Sequence, residues 1–308
     1  MPAPAAAARL LAEFRDRPQP RAASLIITLF GDAVAPHGGR VWLGSLIRLL
    51  APLGVSERLV RTSVYRLTQE HWLRAEALGR RSDYALTEFG QRQFAAATRH
   101  IYSAARPDWD GRWRLVLALP GKWSAPEREH LRRTLAYQGF GQLSGGVFLH
   151  PSADLASALR ALESESFPKL AGKLAAFHGA PDGALAPAQE LVARAWNLEE
   201  LSTAYASFAR RFTPHRAAAR AAAPQEAFLL RTVLVHEYRR LLLRDPELPP
   251  RLLPRRWRGA RAHALAAELY RALAPASEAH LCEELCTADG EHPRLEAAFR
   301  KRFGRIRV

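Results

Sequence analysis

Apolar positions recur at helical spacing through the first third of the chain. In "SLIITLFGDAV", residues 24–34, Leu25, Ile26, Leu29 and Phe30 fall on one side, which predicts a helix. A turn-rich break, "APHGGR", follows. "VWLGSLIRLLAPLG" then predicts a second short helix burying Leu46, Ile47 and Leu50 and stopped near Pro52 and Gly54. Residues 55–73, "VSERLVRTSVYRLTQEHWL", predict a third helix capped by Ser56, whose hydroxyl can accept from an orphan amide of the first turn. Its apolar seam is Val60, Val64 and Leu67. The other face carries Arg58, Arg61, Thr62, Tyr65, Arg66 and Gln69, the groups that reach phosphates and base edges. Taken alone, that face also suits an ordinary solvated helix.

The neighbouring pattern changes the balance. "WLRAEALGRRSDYALT" predicts two short strands about a tip at Gly79, Arg80, Arg81 and Ser82, and "EFGQRQFAAATRHIYSA" predicts a closing helix. Three helices followed by a two-stranded ribbon is the order of a winged helix-turn-helix, whose third helix enters the major groove of DNA. Residues 56–69, Ser56 included, would then read the DNA, and Arg80 and Arg81 would reach flanking phosphate or the minor groove. A winged helix used for protein contact is the alternative.

Beyond "PDWDGRW" the pattern alternates in type. "WRLVLALP" reads as a strand, "APEREHLRRTLAYQGFG" as a helix with Leu131 and Leu135 inward, "GGVFLHP" as a strand, "SADLASALRALESES" as a helix and "KLAAFHG" as a strand. With a further short strand near Phe140–Leu143, this predicts a ferredoxin-like α/β domain. "APDGALAPAQ" reads as a linker. The remainder reads as helical: "NLEELSTAYASFARRF" with Leu198, Leu201, Tyr205 and Phe208 on one side, a long helix ended by Pro246, and two more, "GARAHALAAELYRALAP" and "SEAHLCEELCTADG". The expected fold is α+β: a loosely ordered lead-in over 1–23, a winged helix over 24–106, a ferredoxin-like domain over 107–180, and a helical domain over 181–308 whose last stretch, "RLEAAFRKRFGRIRV", reads as a frayed basic tail.

Composition adds the kind of partner. The chain of 308 residues carries 45 Lys and Arg against 30 Asp and Glu, a net charge of +15. That field favours polyanionic partners: nucleic acid, an anionic membrane or a multiply phosphorylated ligand. No apolar run reaches membrane-spanning length, no signal-peptide core appears, and no basic amphipathic helix with a bulky apolar face stands out, so a membrane partner is not expected. Two cysteines, Cys282 and Cys286, form no disulfide framework and fit a reducing cytoplasm.

The block "SLIITLFGDAVAPHGGRVWLGSLIRLLAPLGVSERLVRTSVYRL", the ribbon "LGRRSDYALTEFG", "DWDGRW", and the later block "QEAFLLRTVLVHEYRRLLLRDPELPPRLLP" together resemble the PaaX family of bacterial transcriptional repressors. The resemblance implies an N-terminal winged helix, a central ferredoxin-like domain similar to small CRISPR-associated ribonucleases, and a helical C-terminal domain. It implies a repressor of phenylacetic acid catabolism, dimeric on palindromic sites and released from its operator by phenylacetyl-CoA. A regulator of the same fold with another acyl-CoA or aromatic effector would look alike.

Catalysis is not expected. The relatives of the central domain that cleave RNA hold Mg²⁺ on an acidic residue at the end of the first strand, and "WRLVLALP" has no carboxylate; Asp108 and Asp110 precede it. A nuclease remains the remote alternative, and a basic architectural protein without sequence preference another. Cys282 and Cys286, with His280, Glu283, Glu284 and His292 nearby, lack the second ligand pair of a zinc site and read as two small buried thiols on one helix face, so neither a metal nor another cofactor is expected. An acyl-CoA effector needs cations for its phosphates and apolar rings for its acyl group. Arg239, Arg240 and Arg244 are candidates for the first and Trp113, Trp123 and Trp196 for the second, with His236 on the same long helix as a further effector-binding candidate; each also has an ordinary packing role available.

Overall fold

The computed structural model describes residues 3–17, 22–102, 108–163, 167–180, 187–304 and 306. The chain divides into two compact units: residues 1–104, 207–239 and 261–308, and residues 105–206 and 240–260. Residues 181–186 of the expected linker, and the expected domain boundary at 106/107, lie outside the described residues.

The first unit begins with helix α1 (Ala3–Arg15), where a loose lead-in was expected. Ala7, Leu10, Leu11 and Phe14 repeat at helical spacing and are all buried. The Phe14 ring meets His236 edge-on at 5.9 Å. The reason is packing: a short Ala-rich helix is marginal alone, and its apolar stripe holds it. Helix α2 (Ala22–Leu29) follows, widening into a π-type turn at Phe30–Val34. Strand β1 (Arg40–Trp42) leads into α3 (Leu43–Leu50). In α3 it is Leu46, Leu49 and Leu50 that are buried, while Ile47 is only half-buried. Gly54, at φ 82°, supplies the left-handed turn into α4 (Glu57–Gln69). Helix α4 packs on α2 and α3. Strands β2 (Leu73–Leu78) and β3 (Arg81–Leu86) form an antiparallel ribbon, with β1 added on the far side of β3. Helix α5 (Glu88–Tyr102) closes this segment.

The second unit is built on a four-stranded antiparallel sheet. Its elements run β4 (Trp113–Ala118), α6 (Ala125–Tyr137), β5 (Gly141–Ser144), β6 (Val147–His150), α7 (Leu155–Leu162) and β7 (Leu174–Gly179), and the strand order is β5-β6-β4-β7. Alternation sorts the side chains. Val116 and Phe148 face α6 and α7 in a core with Leu131, Leu135, Ala158 and Leu162. Trp113 and Leu149 face the other way, into a core with Val192 of α8 (Ala188–Ala195), Leu198, Leu248 and Leu252. Gly141 is required by that second core, since a Cβ there would stand 2.6 Å from the Trp196 ring. Helix α9 (Leu198–Phe212) buries Leu198, Leu201, Tyr205 and Phe208, the expected side.

The chain then returns to the first unit through α10 (Arg216–Ala221) and α11 (Pro224–Leu242). The two helices expected at its end are one, α12 (Gly259–Glu284), with Pro275 inside it. A proline removes one ladder hydrogen bond. Here the flanking residues Leu273, Ala274 and Ser277 are buried, and packing outweighs the missing bond. The expected frayed tail is also a packed segment. Phe299, Arg302, Phe303 and Ile306 are buried, and the Phe303 N–H donates to the Tyr102 carbonyl at 2.9 Å. Its phenylalanines alternate with its cations, so the stretch has an apolar side that charge counting hides.

Candidate nucleic-acid interface

Helix α4 has the two faces its spacing predicts. Ser56 Oγ accepts from the Leu59 N–H at 3.4 Å. Val60, Val64 and Leu67 are at most 1% exposed, and Ser63 is buried beside them. Arg58, Arg61, Thr62, Tyr65, Arg66 and Gln69 are all exposed, Tyr65 to 66%. Arg61 pairs with Glu57 at 2.7 Å and Arg66 with Glu70 at 3.3 Å. Exposed pairs at this spacing are worth about 0.3–0.5 kcal/mol, so either guanidinium can leave its partner for a phosphate. Thr62 Oγ1 donates to the Arg58 carbonyl at 2.9 Å.

The ribbon tip is a two-residue turn. Leu78 faces Arg81 across the ladder, and Gly79 takes φ 59°, which a hairpin turn of this length needs. Arg80 is exposed at the tip and makes no ion pair among the described residues. Arg81 is exposed too, but its guanidinium lies 4.9 Å from the Trp42 ring centroid and donates to the Ala288 carbonyl at 3.2 Å. It is therefore committed within the protein, unlike Arg80. Asp83 on the same strand is buried. Burial pushes its carboxyl above the ordinary value, against the Ala288 N–H and Arg40.

The seven effector candidates fall in several places. In the second unit, Trp113 and Trp196 stack with centroids 6.3 Å apart. Trp123 packs into the core on the opposite face of the sheet, so the three rings share no pocket. Arg244 pairs with Glu200, and Arg240 is exposed. In the first unit His236 is buried, with Nδ1 3.1 Å from Thr28 Oγ1, and Arg239 donates to Ser24 Oγ at 2.8 Å.

Cys282 and Cys286 do not share a helix face. Cys282 is exposed on α12, and Cys286 lies past the helix end, half-buried. The expectation of two buried thiols is corrected, because α12 ends at Glu284. Among the described residues no three His, Cys, Asp or Glu side chains gather as a metal site. Asp110 is tied to Arg114 at 2.9 Å, which holds its carboxyl below the ordinary value. No described helix is long and apolar enough to cross a membrane.

Sequence reasoning missed a buried ion cluster in the first unit. Asp32 accepts from Tyr102 at 2.6 Å, Tyr270 at 2.8 Å, Arg231 at 2.9 Å and Arg302 at 3.2 Å. Arg231 also donates to Glu278 at 2.5 Å, whose other oxygen stands 3.2 Å from His37 Nε2. Burial opposes ionisation of both tyrosines, and Asp32 adds to it, so they stay as hydroxyl donors. The available signal was a lone arginine inside the apolar run "FLLRTVLV".

Three family models match in chain order: PaaX-like protein over residues 21–90, PaaX protein central Cas2-like domain over 106–190, and PaaX-like protein C-terminal domain over 196–283. The transcriptional repressor PaaX of Escherichia coli (strain K12) is 36% identical over 291 residues, covering 92% of this chain and 90% of that protein. Among solved structures, the uncharacterized protein Rv0674 from Mycobacterium tuberculosis superposes with a TM-score of 0.54 at 23% identity, covering 83% of this chain and 97% of that one, a likeness of fold. The matched blocks span most of the chain in one order, and the chain belongs to the PaaX-like family.

Proposed function

We propose that this protein is a sequence-specific DNA-binding transcriptional repressor, not an enzyme, acting in the cytoplasm as a homodimer and released from its operator by an aryl-CoA thioester such as phenylacetyl-CoA. The observation that carries the reading is the face of α4: three arginines, a threonine, a glutamine and a tyrosine, exposed together on a helix whose opposite side is locked by buried Val60, Val64 and Leu67. The identity to a named repressor supports it. In this reading residues 24–106 are a winged helix, with α4 in the major groove and Arg80 on the flanking backbone. Residues 107–180 are a ferredoxin-like domain, a reading supported by the strand-helix-strand-strand-helix-strand order and the sheet order β5-β6-β4-β7. Residues 181–308 are the helical domain.

Fluorescence anisotropy with the DNA upstream of this gene, at fixed salt, tests the reading. Specific binding exceeds binding to random DNA by roughly a thousandfold or more. Arg61→Ala and Arg66→Ala are each expected to weaken operator binding by about 1–3 kcal/mol. Unchanged affinity in both would remove α4 as the reading helix. Release by phenylacetyl-CoA, and not by phenylacetate or coenzyme A alone, supports the effector; release by none of the three keeps the repressor and discards that ligand.

A further inference from the structure

The segment that follows α12, Leu285–Glu291, is folded onto the strands that carry the ribbon. It is a closed turn of its own: the Gly290 N–H donates to the Thr287 carbonyl at 2.9 Å, and the Thr287 N–H to the Glu291 carbonyl at 2.9 Å. Three elements grip it. From β1, the Trp42 N–H donates to the Cys286 carbonyl at 2.9 Å. From α3, Ser45 Oγ accepts from the Cys286 N–H at 3.2 Å and donates to the Glu284 carbonyl, while Arg48 Nε donates to Glu284 Oε2 at 2.8 Å. From β3, Asp83 Oδ1 accepts from the Ala288 N–H at 2.7 Å, and Arg81 donates to the Ala288 carbonyl at 3.2 Å. Arg40 lies 3.5 Å from Asp83 and 3.6 Å from Asp289. Leu285, Thr287 and Ala288 are buried.

These contacts are directional. Both backbone polar groups of Ala288 are held by residues two apart on β3, and Trp42 and Asp83 are register partners across β1 and β3. The segment therefore fixes the rotation of the sheet as well as its position. β1 pairs with β3 only over Asp83–Ala85, so toward the tip the ribbon is two-stranded and marginal unless something packs on it, and most of β2 is half-buried or exposed. The pose of the tip is set from the β3 side.

We infer that Leu285–Glu291 is a strap that holds the β2–β3 ribbon where Arg80 meets the DNA backbone, and that Asp83, acting through Ala288, is a positioning residue for DNA binding. The inference rests on the DNA-binding reading of α4 and the ribbon. It makes the end of α12 part of the DNA-binding apparatus although none of its side chains need touch DNA. It also accounts for Arg81, which lies beside Trp42 and on Ala288 and so braces the ribbon that presents Arg80.

The test is a double-substitution cycle, read by anisotropy on the operator at two salt concentrations with the full chain. Arg80→Ala is expected to weaken binding several-fold and to lower the slope of log affinity against log salt by about one, the loss of one phosphate contact. Asp83→Ala is expected to do the same, although Asp83 is buried. In the Asp83→Ala background, Arg80→Ala is expected to have no further effect, because the tip no longer reaches the backbone. Asp83→Asn, whose amide oxygen still accepts from Ala288, is expected to retain most of the affinity. A general loss of stability would leave the Arg80 effect intact, so multiplicative effects in the cycle overturn the strap. If Asp83→Ala does not fold, Ser45→Ala takes its place in the cycle. An Arg80→Ala variant that is silent in the parent protein while Arg66→Ala weakens binding also overturns the strap, but leaves α4 as the reader. Equal affinity of the parent for operator and random DNA overturns the DNA-binding reading itself, and the strap with it.

Discussion

Arg231→Met is expected to destabilise the first unit by about 3–5 kcal/mol, the range for breaking a buried ion pair from one side. The Arg231 side chain is fully buried, bridging Asp32 at 2.9 Å and Glu278 at 2.5 Å. Its removal strands charge that water cannot reach. Asp32 keeps Arg302 and two tyrosine hydroxyls, so the larger share of the damage falls on Glu278, which among the described residues keeps His37 alone. Burial disfavours the Glu278 carboxylate, and Arg231 with His37 brings its pKa below the ordinary value nevertheless; without Arg231 that compensation fails. Adding Glu278→Gln to Arg231→Met is therefore expected to recover part of the loss, since a neutral amide is far cheaper to bury than an unpaired carboxylate. Denaturant unfolding of the single and double variants measures both effects. A double variant less stable than Arg231→Met would refute this assignment of the cost.

Acidification is expected to weaken the second unit through His150. Its Nδ1 accepts the N–H groups of Ser152 at 3.0 Å and Ala153 at 2.8 Å, so Nε2 carries the hydrogen and donates to the Pro246 carbonyl at 3.1 Å. A second proton on Nδ1 would face two N–H donors. Burial, with Arg114 adding to it, pushes the imidazole down to about 4. The folded pKa lies below that of an unfolded histidine, so the stabilisation is complete above about pH 6.5 and is lost as pH falls toward 4. Between pH 7.5 and 4.5 the loss from this residue is about 2–3 kcal/mol. Five of the seven tryptophans lie in the second unit, Trp196 at 6.5 Å from the His150 ring among them, so tryptophan fluorescence during urea unfolding is weighted toward that unit. His150→Leu is expected to be less stable at pH 7.5 but to lose less on acidification. An unchanged pH dependence would mean that other histidines carry it.

Most of the secondary structure was legible, and the reason is local. The seam Val60–Val64–Leu67, the Ser56 cap, the turn at Gly79 and the alternation Trp113–Val116 are set by spacings of a few residues. The misreadings share another cause. At Pro275 and in the basic tail tertiary burial outweighs the local rules, and the lead-in carries an apolar stripe that its Ala content and flanking prolines obscure. The exposed face of α4 was legible because exposure is the complement of a periodic seam. The commitments of individual cations were not: Arg80 and Arg81 are neighbours in sequence, yet only Arg81 is held by Trp42 and Ala288.

The sequence by itself determined most of the helices, the β2–β3 ribbon, the alternation of strands and helices in the second unit, the cationic face of α4 and membership of the PaaX-like family, since these depend on residue type at fixed short spacing. Only the tertiary structure decided which charges are buried and which are available. Asp32, Arg231, Glu278 and Arg302 come from distant parts of the chain and meet in one core. Ala288 reaches β3 across some two hundred residues of sequence to hold Asp83. Such pairings follow from how the elements pack in three dimensions, and a one-dimensional pattern of residue types does not encode which distant groups packing will bring within 3 Å of one another.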